Sequence, residues 1–128
     1  MEHRRILVDT SLFIEYFRKK NKEKTKLFLL VEREYQITTS AICHFEYMAG
    51  SRHQDFDKLI FEHIEILPFD VNQSIIAAET FRELKRRNTL IEFRDILIAS
   101  AAISERIPLA TLNIKHFERI ETLNLYMF

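Results

Sequence analysis

The stretch "ILVDTSLF", residues 6–13, places a carboxylate between two apolar segments that both belong in a core. Residues 6–8 have the character of a short buried strand, and Leu12 and Phe13 continue the core beyond it. Asp9 stands directly at the end of that strand. In a parallel sheet covered on both faces, ligands bind beyond the carboxyl ends of the strands. Asp9 therefore directs attention to other polar residues that share this edge.

The size and composition of the chain favour one packed domain over residues 1–128. A chain of 128 residues is long enough for a single core and too short for two, and 47% hydrophobic residues allow that core to be packed. The single cysteine, Cys43, excludes an internal disulfide framework. No apolar run approaches the roughly 20 residues of a membrane span, and the N-terminus lacks the apolar core of a signal peptide. We expect a cytoplasmic protein with no membrane association.

Charge and glycine content exclude several functional classes. The 19 basic and 19 acidic residues balance, so a globally basic nucleic-acid binder is not indicated. A local basic patch does exist in "RKKNKEKTK", residues 18–26, which has six basic residues and one acid. The only glycine is Gly50, whereas phosphate-binding loops and dinucleotide fingerprints need several. Both kinds of nucleotide site are therefore excluded.

Short strands alternate with helices along the chain. We expect strands at residues 6–8, 36–38, 64–67, 108–111 and 122–128. Helices are expected at residues 11–19, 26–34 and 54–62. A further helix should begin near Ser40 and stop at Gly50, another should follow a cap at Asp70, and the last should begin at Asp95. The helix after Asp70 would bury the face containing Val71, Ile75, Ala78, Phe81 and Leu84. This alternation predicts an α/β fold with a parallel sheet covered on both faces.

Three acids are expected at this edge of the sheet, and each has a plain structural alternative. Asp9 could instead cap the next helix, although Thr10 and Ser11 could also do so. Asp95 could likewise be a helix cap, with the neighbouring Arg94 as an ion-pair partner. Glu46, the third acid, shares the apolar side of its helix with Ile42, Phe45 and Ala49, or reaches solvent from the edge of that side.

Together these acids indicate a divalent metal site. A buried carboxylate needs a cation, and no lysine or arginine is embedded in the apolar runs around Asp9, Glu46 and Asp95. Mg²⁺ prefers oxygen ligands and is held by a few carboxylates together with substrate phosphate, and Mn²⁺ accepts similar ligands. Such a site polarises a phosphoryl oxygen and activates a bound water. Histidines do not point to zinc, because His44, His53 and His63 lack the spacing of a zinc motif.

Four segments resemble, in order, the motifs of PIN-domain ribonucleases, most closely the VapC-type toxins of toxin–antitoxin pairs. They are "ILVDTSLF", "TTSAICHFEYMAG", "RDILIASAA" and "LATLNIKHFERI", and the resemblance runs from end to end of the chain. It implies a PIN-like three-layer α/β/α sandwich with a central, mostly parallel sheet of four to five strands. It also implies that residues 1–128 form a single domain of this kind.

The resemblance implies a Mg²⁺- or Mn²⁺-dependent endoribonuclease of a type II toxin–antitoxin system. Metal-bound water would attack an RNA phosphodiester, with Asp9, Glu46 and Asp95 holding the metal. The fourth catalytic position is Asn113, where many relatives carry Asp; its amide oxygen can bind metal but adds no negative charge. The number of metals stays open, as does the role of Glu92, which would either compensate for the missing charge or be a solvated loop acid. Supporting hydroxyls would come from Thr10, Ser11 and Thr111.

The partners implied are an antitoxin protein, an RNA substrate and a second copy of the chain. In the resembling toxins the C-terminal stretch of the antitoxin crosses the active groove. Lys19, Lys20 and Lys22 in the basic run are candidate RNA contacts, with a solvated loop as the alternative. Phe13, Phe17 and Phe28 are candidates for lining a partner groove.

Two other functions remain open from the sequence alone. A PIN fold with weakened catalysis could act as a binding module, because Asn113 replaces an acid and the glycine often found before the third motif is missing. A receiver-type signalling domain would also have an acidic metal pocket in an α/β fold. It would need a paired acid after the first strand and a lysine after the last one, where this chain has Thr10 and no lysine before Asn113.

Overall fold

The computed structural model describes residues 4–128. The prediction that the N-terminus is not a signal peptide therefore concerns residues that lie partly outside the described range. Four parallel strands form one sheet in the order β3-β2-β1-β4. Their bounds are β1 Arg4–Val8, β2 Tyr35–Ser40, β3 Glu65–Leu67 and β4 Leu109–Ala110. The predicted parallel sheet is confirmed, at the lower end of the expected strand number.

Seven α-helices connect and cover these strands within the described part of the chain. They are α1 Thr10–Arg18, α2 Lys26–Glu32, α3 Ala41–Gly50, α4 Gln54–Phe61, α5 Val71–Arg86, α6 Phe93–Glu105 and α7 Ile114–Phe117, with a short 3-10 turn at Lys22–Lys24. None of the helices described is long and apolar enough to cross a membrane.

Side-chain alternation along β1 divides the core into two layers. Successive strand residues point to opposite faces, so Ile6 and Val8 belong to one cluster and Leu7 to the other. Helices α1, α2 and α4 pack on the Ile6 side, through residues that include Phe13 and Leu30. Helices α5 and α6 cover the Leu7 side. The predicted three-layer α/β/α sandwich is therefore confirmed.

The strand order creates a crevice beside β1. From β1 the chain continues to β2 and β3 on one side, but β4 pairs with the other side of β1. At such a reversal the connections leave in opposite directions and open a crevice at the carboxyl ends of the strands. The residues that follow β1 and β4 are Asp9 and Thr111, and both are buried.

Helix caps decide how the predicted acids are presented. Asp9 caps α1 by accepting a 3.0 Å hydrogen bond from the Ser11 backbone N–H, and the predicted cap at Asp70 is also confirmed. The alternative of a cap at Asp95 is wrong, because α6 begins at Phe93 with Glu92 in the cap position. Asp95 therefore lies inside the first turn, where its carboxylate points into the protein and is buried.

Two predicted apolar faces are wrong in part. In α5, Leu84 is buried as predicted and Phe81 packs partly buried against the core, but Val71 and Ile75 are exposed and the buried stripe instead contains Gln73 and Ala77. A polar residue can occupy this stripe because the Gln73 side chain donates a 2.8 Å hydrogen bond to the carbonyl of Pro68. In α3, Phe45 and Ala49 are exposed and Cys43 is buried.

Two predicted chain features also differ. Gly50 is the last residue of α3 and not a left-handed residue beyond it, because Ser51 caps the helix in an extended conformation. The predicted strand at residues 122–128 is wrong, since that segment forms only an isolated parallel bridge between Leu109 and Leu125. β4 has two residues, which leaves little backbone for a further strand to pair with.

Candidate active site

The carboxylate of Asp9 is buried and held by donors from two strand ends. Its Oδ1 accepts hydrogen bonds from the backbone N–H and the hydroxyl of Ser11, at 3.0 and 2.5 Å. Its Oδ2 accepts a 2.6 Å hydrogen bond from the hydroxyl of Thr111. Burial raises the pKa of Asp9, and the hydrogen bonds from Ser11 and Thr111 oppose that rise. Asp9 is thus fixed in orientation at the crevice between β1 and β4.

The same hydroxyls fix the loop after β4. The Thr111 oxygen accepts a 2.9 Å hydrogen bond from the backbone N–H of Asn113, and the Ser11 oxygen accepts one of 3.0 Å from Leu112. Asn113 occupies the N-cap position of α7. Its side chain is exposed and makes no cap hydrogen bond to that helix. The side chain of Asn113 is therefore exposed to solvent, and its backbone is linked to Asp9 through Thr111.

Glu46 joins the site from α3. Its side chain is 20% exposed, and Oε1 accepts a 3.0 Å hydrogen bond from the hydroxyl of Thr10, the residue after Asp9. Oε2 lies 2.6 Å from Nη1 of Arg94. The position of Glu46 comes from these two contacts, since the apolar face on which it was predicted to lie is exposed at Phe45.

Asp95 joins from the first turn of α6. Its side chain is 3% exposed, with Oδ1 2.9 Å from Nη2 of Arg94 and Oδ2 3.4 Å from Nδ1 of His116. One guanidinium therefore connects the two acids, Glu46 and Asp95, through different nitrogens. Burial lowers the pKa of Arg94, but the hydrogen bonds with both carboxylates outweigh it and raise that pKa above its ordinary value.

The structure thus brings the three predicted acids into one connected network. Asp9 and Thr10 are adjacent, Thr10 contacts Glu46, and Arg94 links Glu46 to Asp95. We call Asp9, Glu46 and Asp95 the acid pocket. Five of their six carboxylate oxygens accept a hydrogen bond from the protein itself, and the sixth, Oδ2 of Asp95, lies 3.4 Å from Nδ1 of His116.

The fit of this pocket to a metal depends on Arg94. Three carboxylates supply the hard oxygen ligands that Mg²⁺ and Mn²⁺ prefer. As arranged, however, no group of three or more His, Cys, Asp or Glu side chains in residues 4–128 could hold a metal ion. The predicted Arg94–Asp95 ion pair is confirmed, and the inference that the acids lack a cationic side chain is wrong, because Arg94 reaches two of them from a side chain that is 41% exposed. The donor types fit a divalent cation, and the present arrangement fits a guanidinium.

The sequence predicted one of the two ion pairs of Arg94. Arg94 stands next to Asp95 in the sequence, which suggested that pair, whereas Glu46 lies 48 positions away and no local pattern indicates its contact with Arg94. His116 was not expected near an acid, and only its place in the fourth motif could have suggested it. Glu92 is exposed at the start of α6 and was the residue considered as a compensating acid.

A cleft of about 560 Å³ borders Glu46. We call it the side cleft; its lining residues are Ile14, Phe17, Arg18, Glu46, Tyr47, Gly50, Ser51, Arg52, His53 and Asp57. Arg18 and Arg52 are exposed, and the rings of Phe17 and Tyr47 lie with centroids 5.1 Å apart. Asp57 is buried and accepts a hydrogen bond from Ser51. Cationic and aromatic groups therefore line a cleft that begins at the acid pocket.

The three predicted RNA-binding lysines lie outside the lining of the side cleft. Lys19 pairs with Glu15 at 3.6 Å, and the ammonium of Lys22 donates a hydrogen bond to the carbonyl of Tyr16. Lys20 is exposed. The basic group of this segment that does reach the cleft is Arg18.

Comparison with known proteins gives a family match over most of the chain. Residues 6–123 match the family described as PIN domain. Ribonuclease VapC1 of Methanocaldococcus jannaschii is 36% identical over 130 residues, covering 99% of this chain and 89% of that protein. Ribonuclease VapC2 of Rickettsia felis is 31% identical over 114 residues, covering 88% of this chain and 78% of that protein.

Solved structures show the same fold. The crystal structure of VapBC2 from Rickettsia felis, bound to a DNA fragment from their promoter, superposes with a TM-score of 0.80 at 26% identity, over 97% of this chain and 98% of that chain. DNA-bound VapBC from Salmonella typhimurium superposes with a TM-score of 0.78 at 24% identity, covering 96% and 97% of the two chains. At 24% identity, the likeness to the Salmonella typhimurium structure shows a shared fold and nothing more.

Proposed function

This chain belongs to the PIN domain family, and we propose that it is a cytoplasmic, Mg²⁺- or Mn²⁺-dependent endoribonuclease, the toxin of a type II toxin–antitoxin pair. The observation that carries the proposal is the acid pocket, in which Asp9, Glu46 and Asp95 come from three separate segments to one crevice. The ribonuclease names of relatives that match nearly the whole chain support the substrate class.

Asp9, Glu46 and Asp95 are the residues that would hold the metal. When bound, a divalent metal in such a site polarises a phosphoryl oxygen and lowers the pKa of its water. Ser11 and Thr111 hold the Asp9 carboxylate in one orientation, and Thr10 does the same for Glu46. Preorganised ligands of this kind avoid rearrangement during the reaction.

Asn113 takes a polar but uncharged role. Its side chain is exposed, and its backbone N–H donates a hydrogen bond to the hydroxyl oxygen of Thr111. An amide can accept from a water and donate to a phosphate oxygen at once, which a carboxylate cannot do. We therefore assign Asn113 to orienting water or phosphate at the rim.

The RNA backbone would extend from the acid pocket into the side cleft. Arg18 and Arg52 present guanidinium groups there, and guanidinium binds phosphate through paired hydrogen bonds. Phe17 and Tyr47 add aromatic faces, which in single-stranded nucleic-acid sites stack on bases irrespective of sequence. Lys19, Lys20 and Lys22 stay predicted contacts outside this cleft.

We also propose a protein antitoxin as partner. The structural neighbour from Rickettsia felis is a VapBC2 assembly bound to promoter DNA, which supports this choice. An apolar groove of about 570 Å³ offers a surface for the antitoxin, lined by residues that include Leu27, Phe28, Val31 and Ile37. A homodimer stays a prediction of the resemblance.

The proposal is tested by RNA cleavage with matched acid-to-amide variants. We expect the wild type to cleave RNA with Mg²⁺ or Mn²⁺ and to stop when EDTA is added. Asp9→Asn should lower the rate at least about a hundredfold, because a metal ligand loses its charge. Asp70→Asn is the control, since it makes the same change at an exposed cap of α5 that Asn also fills. Equal cleavage by wild type and Asp9→Asn would contradict the proposal.

One observation favours a second candidate function, a PIN-fold binding module without catalysis. Arg94 already pairs with both Glu46 and Asp95, so these two acids share a cationic partner without a metal. Calorimetry separates the two functions: absence of Mn²⁺ binding by the wild type and by a variant that lacks the Arg94 guanidinium would favour the binding module.

A further inference from the structure

The side chain of Arg94 lies where two of the three acids of the pocket would meet a metal. Its Nη1 is 2.6 Å from Glu46 Oε2, and its Nη2 is 2.9 Å from Asp95 Oδ1. We propose that Arg94 is a built-in counter-ion that closes the acid pocket, and that a divalent metal binds only after Arg94 has swung out. This inference rests on the metal dependence in the proposed function and adds a competitor for the metal within the chain itself.

Arg94 and a metal exclude each other for two reasons. The first is space: both guanidinium nitrogens lie within hydrogen-bond distance of carboxylate oxygens, so a cation bound to those same oxygens would occupy the volume of the guanidinium. The second is charge, because an arginine side chain stays protonated in proteins and cannot lose its charge to make way.

The pocket is built so that the arginine can leave while the acids stay. The Arg94 side chain is 41% exposed, whereas that of Asp95 is 3% and that of Glu46 20% exposed. Rotation of Arg94 into solvent therefore needs no change in the core. Glu46 keeps its 3.0 Å hydrogen bond from Thr10, and Asp95 remains in the first turn of α6.

The consequence is a measurable competition. When only a fraction of molecules has the binding-competent arrangement, the apparent dissociation constant rises by the inverse of that fraction. Removing the guanidinium makes the open arrangement the only one. We therefore expect Arg94→Gln to bind Mn²⁺ about tenfold more tightly than the wild type, an effect in the usual range of coupling between two ligands.

The test is Mn²⁺ binding without RNA, measured by calorimetry and by the loss of the free-ion electron paramagnetic resonance signal. Arg82→Gln serves as control, because it removes the same charge from an exposed position on α5. Arg94→Lys keeps the positive charge but supplies a single ammonium in place of the planar fork, and we expect an intermediate affinity. It also keeps the test valid if Arg94→Gln does not fold.

The expected result is a tightening in the order wild type, Arg94→Lys, Arg94→Gln, with Arg82→Gln equal to the wild type. Equal affinities of the wild type and both Arg94 variants, or weaker binding by Arg94→Gln, would overturn the inference. Suppose that the affinities overturn the inference while the wild type still cleaves RNA with metal and Asp9→Asn does not. Then the role proposed for Arg94 is wrong, and the proposed metal-dependent function still stands. If no variant binds Mn²⁺, both this inference and the metal dependence fail.

Discussion

The hydroxyl of Thr111 donates a 2.6 Å hydrogen bond to Oδ2 of Asp9, across 102 positions of sequence. The two residues follow β4 and β1, which are neighbours in the sheet, so the contact joins the first and last motifs at the crevice. Both residues are buried, and the Thr111 oxygen also accepts the Asn113 backbone N–H. One hydroxyl therefore orients the buried acid and fixes the loop that carries Asn113.

Replacing Thr111 by Val should destabilise the protein by about 1–3 kcal/mol, because it leaves a buried carboxylate oxygen without its donor. Urea unfolding measures this change. Thr111→Ser restores the hydroxyl and should recover most of the loss. A further control is Thr80→Val on α5, where the hydroxyl bonds only to the Ile76 carbonyl of its own helix. The interpretation fails if Thr111→Val costs no more than Thr80→Val.

Asp9→Asn should lower the cleavage rate at least about a hundredfold and yet raise the thermal midpoint in EDTA at pH 7. The reason is that burial raises the pKa of Asp9, so the charged carboxylate is less favourable in the folded protein than in the unfolded chain. Asn retains the cap of α1 without the charge. Differential scanning calorimetry checks the midpoint, and Asp70→Asn provides the exposed comparison. A lower midpoint than that of the wild type would show that the hydrogen bonds to Asp9 outweigh its burial.

The thiol of Cys43 should resist labelling in the folded protein. Burial raises its pKa from 9.0 to about 11, so the reactive thiolate is scarce at pH 8 and shielded as well. We expect labelling by a disulfide reagent to be at least about a hundredfold slower than in denaturant. Absorbance of the released reagent thiolate measures the rate.

The same shift gives a pH dependence of stability. The unfolded thiol ionises near 9.0 and the folded one near 11, so the folded state binds more protons in this interval. The Cys43 contribution is therefore fully present below pH 9.0 and is lost as the pH rises to about 11. Chemical unfolding of wild type and Cys43→Ala across this interval should show a falling difference, and a constant difference would contradict the assignment.

Arg52→Gln should weaken binding of single-stranded RNA and make it less sensitive to salt. One lost phosphate contact lowers the slope of log K against log salt by about 0.7 for a single strand. Fluorescence anisotropy with Asp9→Asn as the background avoids cleavage during the measurement. Arg18→Gln should behave alike, and Arg82→Gln on α5 should leave the slope unchanged. Equal slopes for Arg52→Gln, Arg18→Gln and Arg82→Gln would show that RNA does not bind in the side cleft.

Local patterns in the sequence were enough to predict the α/β fold and to single out the three acids. Strand and helix periods of apolar residues are local patterns, and the alternation of the two elements specifies a parallel sheet with two covered faces. Asp9 and Asp95 were identifiable because each stands beside one of these apolar segments. The face of α5 was not, because Gln73 is buried through a hydrogen bond to Pro68 that hydropathy does not register.

The contacts that the acids make could be read only from the packing of the folded chain. Glu46 and Arg94 meet because α3 and α6 lie side by side beyond the same sheet edge, and Thr111 meets Asp9 because β4 pairs with β1 on the side opposite β2. Periodicity reports on neighbours within one element. A contact between elements depends on strand order and on how the helices pack, and these are set by the whole core. The motifs therefore located the pocket, whereas the packing of α6 put a guanidinium inside it.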